Sequence, residues 1–138
     1  MITWLIEIGD DVTLAPRVHV LAHDASTKRA LGFTRIGRVR IGERVFVGAG
    51  SIILPGVSIG DDVIVRGGSF VTTDIPAGSV AVEILRGHIH DRAVSGQATS
   101  RDGFAPRFDA AYTLRGGVTA AMRREMNEAI ESGFGYIE

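Results

Sequence analysis

The chain has 138 residues, the length of one ordinary domain, with a formal charge of −1 and a mildly acidic pI near 6.4. It contains no cysteine, which excludes disulfides, thiolate zinc sites and cysteine nucleophiles together. No Lys/Arg cluster suggests a phosphate-tracking surface, so nucleic acid is not a favoured partner, and no apolar run is long enough to span a membrane.

The opening "MITWLIEIGDD" lacks a basic n-region and does not read as a signal peptide; with the absence of cysteine this fits a cytoplasmic setting. From Ile2 the chain keeps a six-residue beat: ITWLIE, IGDDVT, LAPRVH. Its first places are Ile2, Ile8, Leu14 and Val20, and its fifth places are Ile6, Val12 and Val18. The beat stops over residues 23–38 and resumes at Ile41 as IGERVF, VGAGSI, ILPGVS, IGDDVI, VRGGSF, VTTDIP. There the first place is always Ile or Val: Ile41, Val47, Ile53, Ile59, Val65, Val71. The fifth is small or β-branched, and the third and fourth are polar, small or Pro.

A helix needs a period near 3.6 and a half-buried strand a period of 2. Six keeps the strand alternation but adds a corner every six residues. Each corner needs a residue tolerant of positive φ, which Gly, Asn and Asp supply. The aliphatic first place then points inward, and stacked turns form flat parallel sheets around a narrow apolar prism. This is an all-β solenoid. Such a coil can eject a loop at a corner without disturbing its neighbours, and residues 23–38 are read as that loop.

Beyond the repeat, residues 88–111 are turn-rich and predict an irregular connection. "VTAAMRREMNEAIESG" predicts a short amphipathic helix with Thr119 as N-cap, Gly133 as its stop, and Met122, Met126, Ala129 and Ile130 on one face. Its expected role is to cover apolar surface on the solenoid or a neighbouring subunit. "GFGYIE" is read as a final strand. The organisation is therefore a repeat domain at 1–87, including the loop, and a C-terminal region at 88–138.

The stretch "IGERVFVGAGSIILPGVSIGDDVIVRGGSFVTTDIPAGSVAV" closely resembles the hexapeptide-repeat acyltransferases, and most of all the branch that acetylates sugars, often in surface-polysaccharide synthesis. The resemblance implies a left-handed parallel β-helix of three hexapeptides per coil, although the right-handed crossover rule alone would point the other way. It implies an acetyl-CoA-dependent transferase assembled as a homotrimer, with the active site between subunits. A histidine near the start of the ejected loop is the general base in that family, and His23 in "LAHDAS" stands at that place. Imidazole chemistry suits proton removal at neutral pH, and without cysteine a direct attack is favoured over an acyl-enzyme. Asp24 would orient an acceptor hydroxyl or support the loop. Lys28 and Arg29 would touch a nucleotide-sugar phosphate, and Leu31 and Phe33 would shape specificity.

On the cofactor side the resemblance places Ala49, Gly67 and Thr72 where coenzyme A's arm meets the main chain, with Phe46 at a position often held by Trp. Two departures stand out. Thr73 replaces a frequent Lys, and "EILRG" at Glu83–Gly87 replaces the usual Gly-Asn-Pro-Ala-Lys, leaving Arg86 to supply the cation. Arg66 stands where a small residue is usual. His19 is expected at the surface. His88 and His90 form an HxH, but a third histidine at matching spacing is lacking, so no metal is expected. Two alternatives stay open: N-acetylation of a nucleotide-linked amino sugar, and a solenoid scaffold that has lost catalysis.

Overall fold

The structure is a computed structural model that describes residues 3–81, 106–108, 117–131 and 134–137. After a 3-10 turn at Thr3–Leu5, three short strands follow at one-hexapeptide intervals: β1 (Ile6–Ile8), β2 (Thr13–Leu14) and β3 (His19–Val20). The excursion contributes β4 (His23–Asp24), a 3-10 turn at Ala25–Thr27, α1 (Lys28–Leu31) and β5 (Thr34–Gly37). The repeat then resumes as β6 (Val39–Ile41), β7 (Phe46–Val47), β8 (Ile52–Ile53), β9 (Ser58–Ile59), β10 (Ile64–Val65), β11 (Phe70–Val71) and β12 (Val80–Ala81). Last come β13 (Arg107–Phe108), α2 (Ala120–Ala129) and β14 (Phe134–Ile137).

The repeat strands sort into three parallel sheets visited in rotation. The first is ordered β1-β6-β9, the second β12-β10-β7-β2 and the third β11-β8-β3. A parallel bridge from Ile59 to Ile75 extends the first sheet by one more coil. The chain therefore winds as a three-sided parallel coil, each strand stacking on the one three hexapeptides earlier.

The burial pattern explains the beat. Ile41, Val47, Ile53, Ile59, Val65 and Val71, the six first places, form one core with the fifth-place Val45, Val57 and Val63. Each such side chain removed from water contributes about 1.5–3 kcal/mol. Ser51 and Ser69 occupy fifth places in the same interior, and both hydroxyls donate to the carbonyl of Arg66, at 3.0 and 2.6 Å. At the upstream end Ile8 and Leu14 remain 47% and 41% exposed, because no coil among the described residues stacks above them.

Corners fall at the fourth place of the hexapeptide. Gly50, Gly56 and Gly68 have φ of 72, 85 and 73°, and Asp11 and Asp62 have φ of 56 and 55°. Arg17 and Arg44 adopt the same left-handed region, at 61 and 55°, so the corner also accepts residues outside the expected Gly, Asn and Asp. Arg44 is held there by a charge-assisted pair, its Nε donating to Asp62 Oδ1 at 2.7 Å. Asp74 closes its corner differently: its carboxylate accepts the Ser58 N–H of the coil above at 2.7 Å.

The excursion is more ordered than a loop. β4 and β5 form an antiparallel hairpin within a fourth sheet, ordered β13-β14-β5-β4. A second core of Leu5, Ala22, Ile36, Phe108, Met126, Ile130 and Ile137 lies between this sheet, the N-terminal turn and α2. Thr119 caps α2, its hydroxyl accepting the Met122 N–H at 3.2 Å. Met126 and Ile130 are fully buried on the inner face, while Ala129, expected there, is exposed.

Candidate active site

β3 ends the third side of the first coil, and the chain turns out of the coil at Leu21–Ala22 into β4. The hairpin returns through Gly37, which packs on the coil without clearance. A Cβ at Gly37 would lie 2.4 Å from the Gly56 nitrogen. Only glycine permits this contact, so the base of the hairpin is seated directly on the Pro55–Gly56 corner.

His23 is half-buried on β4, with Ile36 as its cross-strand partner. Partners across a ladder share a face, and successive residues alternate. His23 therefore lies on the face of Ile36, which is fully buried against α2, and Asp24 lies on the opposite face beside Arg35. The two residues grouped as a catalytic pair are divided by the pleat. Asp24 serves locally as the N-cap of the 3-10 turn, its Oδ1 accepting the Ser26 N–H at 2.9 Å. That backbone hydrogen bond is the main reason its carboxyl is held below the ordinary value of 3.8; the charges of Arg35 and His23 act in the same direction. Of the two roles expected for Asp24, this geometry serves loop support.

The far end of the hairpin is closed by residues that no sequence motif marks. Thr27 Oγ1 donates to the Phe33 carbonyl at 2.9 Å. The Phe33 ring meets Tyr136 edge-on, with centroids 6.3 Å apart, and the Arg107 guanidinium stacks over it at 5.0 Å. Asp24, Arg35, Tyr136 and Arg107 form one row across the fourth sheet. Lys28, Arg29 and Leu31 belong to α1, where all three are exposed.

Four of the six residues assigned to the cofactor, Ala49, Gly67, Thr72 and Thr73, fall along the two edges of the third sheet. Ala49 and Gly67 are stacked at the corner that enters this sheet, with the Gly68 N–H donating to the Ala49 carbonyl at 2.8 Å. Both are exposed, and a Cβ at Gly67 would come within 3.2 Å of that carbonyl, so this edge presents main chain rather than side chains. Thr72 and Thr73 are exposed at the corner that leaves the sheet, the same corner from which the hairpin carrying His23 departs two coils above. Two strand spacings are about 10 Å. Between the edges, the outer face carries His19, Ile52 and Phe70, with His19 exposed. Phe46 is one side away, 44% exposed on the second sheet. Arg66 is exposed just before Gly67. Arg86, with the rest of Glu83–Gly87, and His88 and His90 lie outside the described residues. Among the described residues no group of three or more His, Asp or Glu side chains is placed to hold a metal, and no helix is long and apolar enough to cross a membrane.

Comparison with known proteins agrees with this architecture. The family described as the hexapeptide repeat of succinyl-transferase matches residues 38–73. Galactoside O-acetyltransferase of Escherichia coli (strain K12) is 36% identical over 87 residues, covering 59% of this chain and 41% of that protein. Among solved structures, a maltose O-acetyltransferase from Clostridium difficile 630 superposes with a TM-score of 0.51 at 45% identity, covering 56% of this chain and 43% of that one. A galactoside acetyltransferase in complex with coenzyme A gives the same TM-score of 0.51 at 37% identity, covering 56% and 40%. Over residues 38–73 the chain carries the hexapeptide repeat, and over somewhat more than half of its length it is similar to sugar O-acetyltransferases. It spans about two fifths of the length of these relatives.

Proposed function

We propose that this protein is an acetyltransferase that moves an acetyl group from acetyl-CoA to a hydroxyl of a saccharide or nucleotide sugar. The observation that carries this reading is a coincidence of place. The break that brings out His23 departs from the same corner of the coil as the exposed Thr72–Thr73 edge, and across the third sheet from Thr72 runs the main-chain edge at Ala49 and Gly67. The similarity to galactoside and maltose O-acetyltransferases, one of them bound to coenzyme A, supports both halves of the reaction.

The residues present fit coenzyme A. Its pantetheine arm carries amides that pair with backbone groups, and the exposed Ala49–Gly67 edge, with Arg66 beside it, offers such groups. Thr72 and Thr73 would hold the end nearer the thioester, Phe46 would flank the groove, and Arg86 would meet the phosphates. When bound, acetyl-CoA supplies an activated carbonyl carbon. His23 takes the proton of the acceptor hydroxyl as the oxygen forms its bond to that carbon, and returns the proton to the sulfur as the carbon–sulfur bond breaks. Backbone N–H groups at the corner would stabilise the negative charge on the carbonyl oxygen.

The same reading makes the three-sided coil a left-handed β-helix and the protein a cytoplasmic homotrimer with its sites between subunits. It also assigns the product to surface-polysaccharide synthesis. The test is turnover with acetyl-CoA and a panel of galactosides, maltosides and nucleotide sugars, read as free thiol. His23→Ala should lower turnover roughly 10²–10⁴-fold with melting unchanged. Full activity in that variant would remove His23 from the mechanism.

A further inference from the structure

The strand that carries His23 has little of its own to hold it. β4 is two residues long, and among the described residues it pairs with β5 alone. An isolated two-stranded hairpin is marginal in water. It becomes stable when a third strand joins it or when one face packs on a helix. Here both supports come from the far end of the chain.

β14 pairs with the whole of β5, in the register Phe134 with Gly37 through Ile137 with Thr34, and β13 continues the sheet on its other side. α2 lays Met126 and Ile130, both fully buried, into the core that contains Ile36. Ile36 faces His23 across the ladder, so the packing that fixes Ile36 also fixes the backbone from which the imidazole projects. Two arginines of the returning chain fasten the last turn of α2 and the residues just beyond it. Arg38 donates to the Asn127 carbonyl, and Arg40 Nη1 donates to the Glu131 carbonyl at 3.0 Å. Both also pair with Glu7 on β1, at 3.4 and 3.2 Å. At the other end of the helix, Arg123 stacks over Trp4 at 5.0 Å. The hairpin is thus clamped between the coil, at Gly37, and the C-terminal segment.

We propose that α2 and β14 are a positioning element of the active site, holding the strand from which His23 acts. This rests on the reading of His23 as general base. A catalytic group misplaced by about 1 Å loses on the order of 10²-fold in rate, so loosening this support reaches the chemistry without touching substrate. Gly135 is the point of closest approach. A Cβ there would sit 2.9 Å from the Pro106 carbonyl oxygen and 3.2 Å from Ile130 Cδ1.

The experiment compares Gly135→Val, Arg40→Ala and Arg40→Lys with the unaltered protein. It measures kcat, KM for acetyl-CoA, thermal melting, and the ring proton signals of His23 by NMR, assigned with His23→Ala. In Gly135→Val we expect the His23 signals to shift and kcat to fall roughly 10–100-fold, with KM for acetyl-CoA within about twofold. Arg40→Ala should show a smaller loss of the same kind, roughly 3–10-fold, and Arg40→Lys should recover most of it. Unchanged His23 signals in a folded Gly135→Val variant would overturn the proposal, as would a kcat loss that only tracks the unfolded fraction. If Gly135→Val does not fold, the Arg40 pair decides, and wild-type kcat and His23 signals in Arg40→Ala would overturn the proposal. If His23→Ala itself is fully active, the base assignment has failed, and the ring signals alone then decide whether the C-terminal segment positions this strand.

Discussion

Asp24 illustrates how a residue's neighbours in space differ from its neighbours in sequence. The sequence sets it beside His23 as a partner in catalysis, yet strand alternation turns the two to opposite faces, and the carboxylate is taken by the Ser26 N–H. The signal is legible in "HDAS", since Asp two residues before Ser is a local capping pattern, but neighbours in sequence on a strand are not neighbours in space. A pH dependence follows. The folded value of Asp24 is depressed, so its cap contributes fully above the ordinary 3.8 and is lost as pH falls through the lower folded value. Asn caps as well as Asp but does not titrate, so Asp24→Asn isolates the effect. The melting temperatures of the two proteins should run parallel above about pH 5 and converge or cross below about pH 4, as the native cap alone weakens. Parallel curves down to the lowest pH would show that the carboxylate adds nothing to this turn.

At the scale of elements, the six-residue beat is readable because each coil repeats the same local problem: one side chain inward, one corner, one more strand. Every first place from Ile41 to Val71 is buried as that pattern requires. The gradient along the coil is not readable, because it depends on what stacks above and below. Ile8 and Ile41 are register partners in the first sheet, but Ile41 is 3% exposed and Ile8 47%. Ile41→Ala should therefore cost about 2–5 kcal/mol and Ile8→Ala less than about 1.5 kcal/mol, measured by denaturant unfolding. Equal costs would mean that the first coil is covered in solution. The break at 23–38 is also legible, and so is a strand in "GFGYIE". Their pairing is not. Antiparallel partners about a hundred residues apart leave no period for either segment to display. The stacking of Arg107 and Tyr136 on Phe33 is hidden for the same reason.

For the whole molecule, the second sheet presents an apolar stripe to the outside. Phe46, Ile64 and Val80 are in register and 44, 48 and 58% exposed. Exposed apolar side chains in register are what a subunit contact would cover, so we predict that the proposed trimer meets on this stripe. Ile64→Arg should then reduce the mass in solution from three times the 14.7 kDa chain to one, by light scattering, without unfolding the coil. A trimer that survives this change would place the contact on another side. The pairing of β14 with β5 has a further bearing, on the order of synthesis. Strands paired within the coil lie closer together in the chain than β5 and β14 do. At about 5–20 residues per second, the ribosome releases Phe134 several seconds after Ala81. Through that interval every strand of the described coil has been made while the strand bearing His23 still waits for its neighbour. A chain caught in that window would carry the repeat with the His23 strand still lacking its β14 support.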